Sequence, residues 1–95
     1  MTPAKIITQH PDPSKKGVNI EQDKYDLAYG AILDILLREK VMQPMPLYDR
    51  VAQEISDHIE GSAKWYAVTV KLDMEARGIL QHDRQQRAIR LVQES

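Results

Sequence analysis

A chain of 95 residues with 42% hydrophobic and 28% charged side chains has the composition of one globular domain, and excludes the disordered and membrane-spanning classes. Its 13 basic residues nearly balance 14 acidic ones, so no dominating basic field marks it as a nucleic-acid binder, although residues 1–61 hold ten acids against seven bases and residues 62–95 six bases against four acids. The lack of cysteine removes disulfides, thiolate nucleophiles and zinc–thiolate sites, and without a bilayer-length apolar run or a signal-like N-terminus the cytoplasm is the expected location.

Residues 1–20 contain three of the five prolines, Pro3, Pro11 and Pro13, and no helical period. They predict an extended N-terminal arm ahead of a domain covering residues 21–95. Within the arm Lys5-Ile6-Ile7-Thr8 is β-prone, His10-Pro11-Asp12-Pro13 must be extended or turned, and Lys15-Lys16-Gly17 makes a basic turn. Ile6, Ile7, Val18 and Ile20 are four aliphatic anchors that a disordered tail rarely carries, so the arm is expected to dock.

From Asp23 to Glu39 the pattern turns helical, with Asp23 as the cap and Tyr25, Ala28, Tyr29, Ile32, Ile35 and Leu36 on one face. Gly30 inside this helix costs about 1 kcal/mol relative to Ala, and either permits close packing or is simply tolerated. Gln43-Pro44-Met45-Pro46 breaks the helix and lays down a short extended segment. Leu47, Val51, Ile55 and Ile59 then recur every four residues as the stripe of a second helix, and Glu60-Gly61 supplies a turn. The third helix runs from a Ser62 cap to Arg77, about 24 Å, and ends at Gly78, which tolerates a left-handed conformation. Beyond it, Ile79 to Asp83 and Arg87 to Val92 read as two strands of a hairpin joined by Arg84-Gln85-Gln86, with Ile89 and Leu91 on one face and Arg90 on the other. This order predicts an α+β winged helix: a three-helix, helix-turn-helix core, a C-terminal β-hairpin wing and the N-terminal arm.

The sequence also resembles a small bacterial family known as a domain of unknown function. The resemblance rests on Lys5-Ile6-Ile7-Thr8, His10-Pro11-Asp12-Pro13, Lys16-Gly17-Val18-Asn19-Ile20, Asp23-Lys24-Tyr25, Gly61-Ser62, Trp65-Tyr66, and Val68 to Asp73 with Glu75-Ala76-Arg77-Gly78-Ile79. It implies a winged-helix-like fold and supplies no activity. Met74-Glu75-Ala76-Arg77-Gly78-Ile79-Leu80 is similar to the Leu-Glu-x-x-Gly-Leu-Ile ending of recognition helices in many bacterial regulators, a likeness that specifies fold better than DNA binding.

Projected at about 100° per residue, the third helix shows two apolar stripes. Ala63, Ala67, Val70 and Met74 face the core, whereas Trp65, Leu72 and Ala76, with Val68 at the edge, lie roughly opposite, and Lys64, Lys71 and Glu75 form a charged seam. A base-reading helix presents polar or basic side chains outward. Here the outward face has Trp65 and Leu72, which leaves three readings: core, coverage by the arm of this or a second chain, or direct contact with a partner.

Two functions follow. The first is a DNA-binding or transcription-associated protein, with phosphates held by Lys64, Lys71, Arg84, Arg87 and Arg90; the bland counterpart is a solvated hairpin whose charges prevent edge-to-edge pairing. The second is a protein-interaction or dimerisation module whose contact face is Trp65, Val68, Leu72, Ile6 and Ile7. Neither needs a cofactor, a small-molecule substrate or a membrane. His10, His58 and His82 have no carboxylate at ligand spacing, Ser62 lies in no nucleophile elbow, and Lys15-Lys16-Gly17 lacks the glycines of a phosphate loop, so neither a metal site nor an enzyme is expected.

Overall fold

The computed structural model describes residues 4–92. Its elements are β1 (Lys5–Ile7), β2 (Asn19–Glu21), α1 (Gln22–Glu39), β3 (Val41–Met42), α2 (Pro44–Ile55), a single 3-10 turn (Ser56–His58), α3 (Ala63–Ala76), β4 (Leu80–Asp83) and β5 (Ala88–Leu91). The architecture is α+β, with three helices and two small antiparallel sheets, β1–β2 and β3–β5–β4. The three helices pack on one another and enclose the core. Its largest fully buried aliphatic side chains, Ile32, Ile35 and Leu36 of α1, Leu47 and Ile55 of α2, and Leu80 and Ile89 of the three-stranded sheet, each contribute about 1.5–3 kcal/mol by leaving water.

The periodic stripes read from the sequence face the core, with Tyr29 of α1 and Ala63 of α3 only partly buried at its edge. Tyr25, Ala28, Ile32, Ile35 and Leu36 of α1 are buried, as are Leu47, Val51, Ile55 and Ile59 in and after α2, and Ala67, Val70 and Met74 of α3. Ser62 caps α3 as expected, its Oγ accepting from the Trp65 amide at 3.1 Å. At the other end Gly78 sits at φ 77°. The Ile79 amide donates to the Met74 carbonyl at 2.9 Å and the Gly78 amide to Glu75 at 3.1 Å, the paired bonds of a Schellman motif. That motif turns the chain directly into β4, where Leu80, His82 and Asp83 pair with Leu91, Ile89 and Ala88.

Three local expectations are corrected. Helix α1 starts two residues earlier than the Asp23 cap predicted: Glu21 is the cap, Gln22 donates its amide to the Ala4 carbonyl at 2.8 Å, and the Asp23 carboxylate accepts from the Lys24 amide. The extended segment between the first two helices is Val41–Met42, while Pro44 and Pro46 fall in the first turn of α2, where an absent amide costs no intrahelical bond. The second helix ends at Ile55, the 3-10 turn covers Ser56–His58, and Ile59 is extended although its side chain is buried with the stripe.

The arm docks, by a mechanism the aliphatic anchors did not foretell. β1 and β2 pair with Lys5 opposite Glu21 and Ile7 opposite Asn19. The loop between them is closed by Thr8, whose amide donates to the Val18 carbonyl at 2.8 Å and whose Oγ1 accepts from the Val18 amide at 2.9 Å. At the loop tip Asp12 Oδ1 accepts from both the amide and the hydroxyl of Ser14. Those bonds hold the Asp12 carboxyl below its ordinary range. Gly17 crosses the strand mouth so closely that an added Cβ would lie 1.5 Å from the Thr8 carbonyl oxygen.

The arm is fixed to α3 by Asp73, a fully buried carboxylate. It accepts from the Gln9 amide of the arm at 2.8 Å, from the Tyr25 hydroxyl of α1 through a very short bond, and from Arg77 Nε one turn along its own helix at 2.9 Å. Burial and the hydrogen bond to Asp73 push the Tyr25 phenol well above its ordinary range, so it stays protonated as the donor. Arg77 also reaches the Ile7 carbonyl, at 3.5 Å.

Two sets of substitutions test this construction by chemical denaturation and hydrogen exchange. Gly17→Ala is expected to release the arm, seen as lost protection of the Gln9 and Thr8 amides, whereas Gly30→Ala, whose added Cβ meets nothing within 4 Å, is expected to stabilise by about 0.5–1 kcal/mol. Asp73→Asn, which removes the charge and leaves Tyr25 and Arg77 competing for one amide oxygen, is expected to cost about 2–3 kcal/mol, and Tyr25→Phe about 1.5 kcal/mol.

Candidate functional site

The residues nominated by the sequence sit on and around α3, flanked on one side by the arm and on the other by the β4–β5 hairpin. Three are occupied in ion pairs. Lys64 lies 3.2 Å from Asp49 of α2. Lys71 is only 1% exposed: its ammonium donates to Glu75 at 2.7 Å and contacts His82 Nδ1 of β4 at 2.7 Å. Arg84, at the start of the hairpin turn, reaches the same Glu75 at 3.2 Å. Lys71, nominated as a phosphate contact, is thus buried with its ammonium engaged by Glu75 and His82. Arg87 and Arg90 remain, one exposed at the turn and the other half-buried on β5, with no carboxylate within 4 Å among the described residues.

The cluster of Lys71, Glu75, His82 and Arg84 has a definite electrostatic order. Burial depresses the Lys71 pKa, with the Glu75 carboxylate opposing that shift. For Glu75, burial acts upward but is outweighed by hydrogen bonds and charge from Lys71 and Arg84, so its pKa is lowered and it is the anion at the centre. His82 is lowered first by burial and then by the positive charges of Lys71 and Arg84. A Lys71 ammonium that donates to Nδ1 requires that nitrogen to be bare, which leaves the ring proton on Nε2 and the imidazole neutral.

The five residues of the nominated protein-contact face divide. Ile6 and Val68 turn partly inward against the core. Leu72 lies under the arm, lining with Trp65, Thr69, Gln9, Gly17 and Val18 a crevice of about 130 Å³. Trp65 is 44% exposed, with Tyr66 set edge-on to it at 5.0 Å, and Ile7 of β1 is 71% exposed. Among the readings for the outward face of α3, coverage by the chain's own arm accounts for Leu72, and Trp65 is left half open at the margin. The buried Asp73 and Lys71 were not singled out as structural charges. The available signal was their spacing, since Lys71 with Glu75 and Asp73 with Arg77 are both i,i+4 pairs of opposite charge.

Among the described residues no three His, Asp or Glu side chains gather closely enough to hold a metal ion, and no helix is long and apolar enough to cross a membrane.

Because the folded protein holds His82 neutral, protonating it favours the unfolded chain. Stability should be level from about neutral pH down to the ordinary histidine pKa of 6.5 and fall as pH drops below it, with a further loss as Glu75 titrates below 4.5. In His82→Gln, whose amide oxygen can still accept from Lys71, the first decline should flatten; urea denaturation at pH 5.5 and 7.5 reads the difference.

No curated protein and no solved structure matches the chain significantly. A family model does match, described as a family of unknown function (DUF6958), over residues 5–91, which takes in the arm, all three helices and the hairpin. The arm is therefore part of what the family shares, and this chain belongs to that family of unknown function.

Proposed function

We propose that the chain is a winged-helix-like protein-interaction module that does not read DNA bases. The element order α1, β3, α2, α3, β4, β5 and the strand order β3–β5–β4 support the winged-helix reading, with α3 in the place of the recognition helix and β4–β5 as the wing. One observation carries the functional part: the 8–18 loop of the arm lies over the outward face of α3, against Thr69 and Leu72, tied there by the Gln9 to Asp73 bond. A helix so covered cannot enter a major groove, which needs its full outward face for base contacts. The arm and helix instead share an apolar margin of Val18 and Trp65, both exposed, suited to contact with another protein surface.

A second reading, phosphate binding without base readout, is favoured by Arg87 and Arg90, two cations of the hairpin without ion-pair partners among the described residues. Such binding would weaken steeply with salt and show no preference among duplex sequences.

Titration of duplex DNA at several salt concentrations, followed by tryptophan emission, separates the two, alongside sedimentation velocity over a range of protein concentrations. The interaction reading expects no DNA binding at low salt and a concentration-dependent association that Trp65→Ser abolishes. Sequence-selective DNA binding by the full chain would sink it. A strictly monomeric chain with salt-sensitive, sequence-blind binding lost in Arg87→Ala/Arg90→Ala would replace it with the second reading.

A further inference from the structure

A groove that shares no residue with the arm–α3 crevice lies between the end of α1 and the outer face of the three-stranded sheet. The sheet register places Val41, Arg90 and Gln81 side by side across β3, β5 and β4 on this face, while Ile89 points the other way into the core. Leu37 of α1 and Val92 after β5 complete the apolar part, and with Val41 all three are about half exposed. The groove encloses about 830 Å³, larger than the other surface depressions around α3 and α1, and within the range of sites that seat several side chains.

Among the described residues its charge is of one sign. Lys40 and Arg90 line it, no acidic side chain does, and neither cation has a carboxylate within 4 Å among the described residues. The nearby Glu39 is engaged by Arg50 at 3.3 Å. Lys24, Arg38, Arg50, Lys64, Lys71, Arg77 and Arg84 have acidic partners, whereas Lys40 and Arg90 combine the lack of one with an apolar lining. The groove is also a place of backbone strain. Lys40 ends α1 with φ 71° and ψ −47°, a conformation that a residue with a Cβ rarely adopts and glycine takes readily.

We infer that this groove docks a short acidic, apolar peptide segment of a partner protein, its leucine- or phenylalanine-type side chains seated on Leu37, Val41 and Val92 and its carboxylates held by Lys40 and Arg90. The mixture decides against nucleic acid, which needs convergent cations and gains nothing from three exposed aliphatic side chains. The concavity decides against a lipid surface, which is met by a convex or flat apolar face. The charge sign supplies the complement: an acidic segment satisfies both unpaired cations, while a basic one is repelled. This inference does not depend on self-association through Trp65.

The test uses the full chain and a fluorescein-labelled decapeptide alternating Glu/Asp with Leu/Phe, together with its Gln/Asn counterpart, a duplex DNA and anionic phosphatidylserine vesicles. Fluorescence anisotropy should show saturable binding of the acidic peptide in the micromolar range, at least about tenfold tighter than the neutral one. Amide shifts in ¹⁵N spectra should centre on Leu37, Lys40, Val41 and Arg90. Arg90→Glu should weaken binding about tenfold, and Val41→Ser several-fold. Lys40→Gly separates role from structure, since it relieves the strained backbone and should raise the thermal midpoint while lowering peptide affinity. Peptide affinity indifferent to Arg90→Glu and Lys40→Gly, or no saturable binding, overturns the inference. So does DNA or vesicle binding that needs Arg90 and ignores Val41→Ser, which would assign the surface to that other ligand.

Discussion

The buried carboxylate of Asp73 is the constraint to which the rest of the structure answers. A charge removed from water is tolerable only when its lone pairs are occupied, and Asp73 draws its donors from three separate parts of the chain: the Gln9 amide, the Tyr25 hydroxyl and the Arg77 guanidinium. Each donor fixes an element. Tyr25 sets the rotation of α1 against α3, Arg77 holds the last turn of α3, and Gln9 lays the arm across the helix. An N-terminal segment with one edge pairing of three residues would otherwise be weakly held, because a lone two-stranded hairpin is marginal in water.

On the opposite flank of α3, Lys71 plays the matching part toward the hairpin. Residues 71 and 73 are separated by about 200° on a helix, so their side chains leave on opposite sides. Asp73 meets the arm while Lys71 meets His82 and, through Glu75, Arg84. The helix is thus clamped by a buried anion on one side and a buried cation on the other, each balanced one turn later by the opposite charge. Such pairs add specificity of arrangement more dependably than net stability, since desolvation offsets much of their attraction. The functional consequence is direct: the charged seam that a projection of α3 offers to phosphates is consumed in holding the domain together.

The sequence made the helices and hairpin legible because their signals are local and repeated. Fourfold spacing of Leu47, Val51, Ile55 and Ile59, the Ser62 cap and the Gly78 ending each report on a few neighbouring residues, and each has its counterpart in the fold. Of the candidate site the docking of the arm was legible, while for Trp65 the sequence left burial, coverage and contact open. The charges of the site were not legible. Lys71 and Asp73 carry no local mark of burial; they are covered by β4 and by residue 9, and only the long-range packing decides that. The start of α2 was misplaced for a related reason, since Pro44 and Pro46 break one helix and begin the next with equal ease, and Val41 and Met42 become a strand only because β5 lies beside them.

Satisfied and unsatisfied features are distributed unevenly over the molecule. Around α3 the charges are paired, and no buried side-chain polar atom among the described residues lacks a hydrogen bond. On the sheet side the two non-glycine residues with positive φ, Lys40 at 71° and Arg87 at 52°, lie at either side of the β3–β5 pair, with the unpaired Arg90 between and Val41 bare beside it. A positive φ at a residue with a Cβ costs stability, and at Lys40 that conformation adjoins the groove lined by Val41 and Arg90. The arm lies over the outward face of α3, held by the Gln9 to Asp73 bond. On the sheet face Lys40, Val41 and Arg90 meet, and it is there that the inferred acidic segment would supply carboxylates and apolar contacts together.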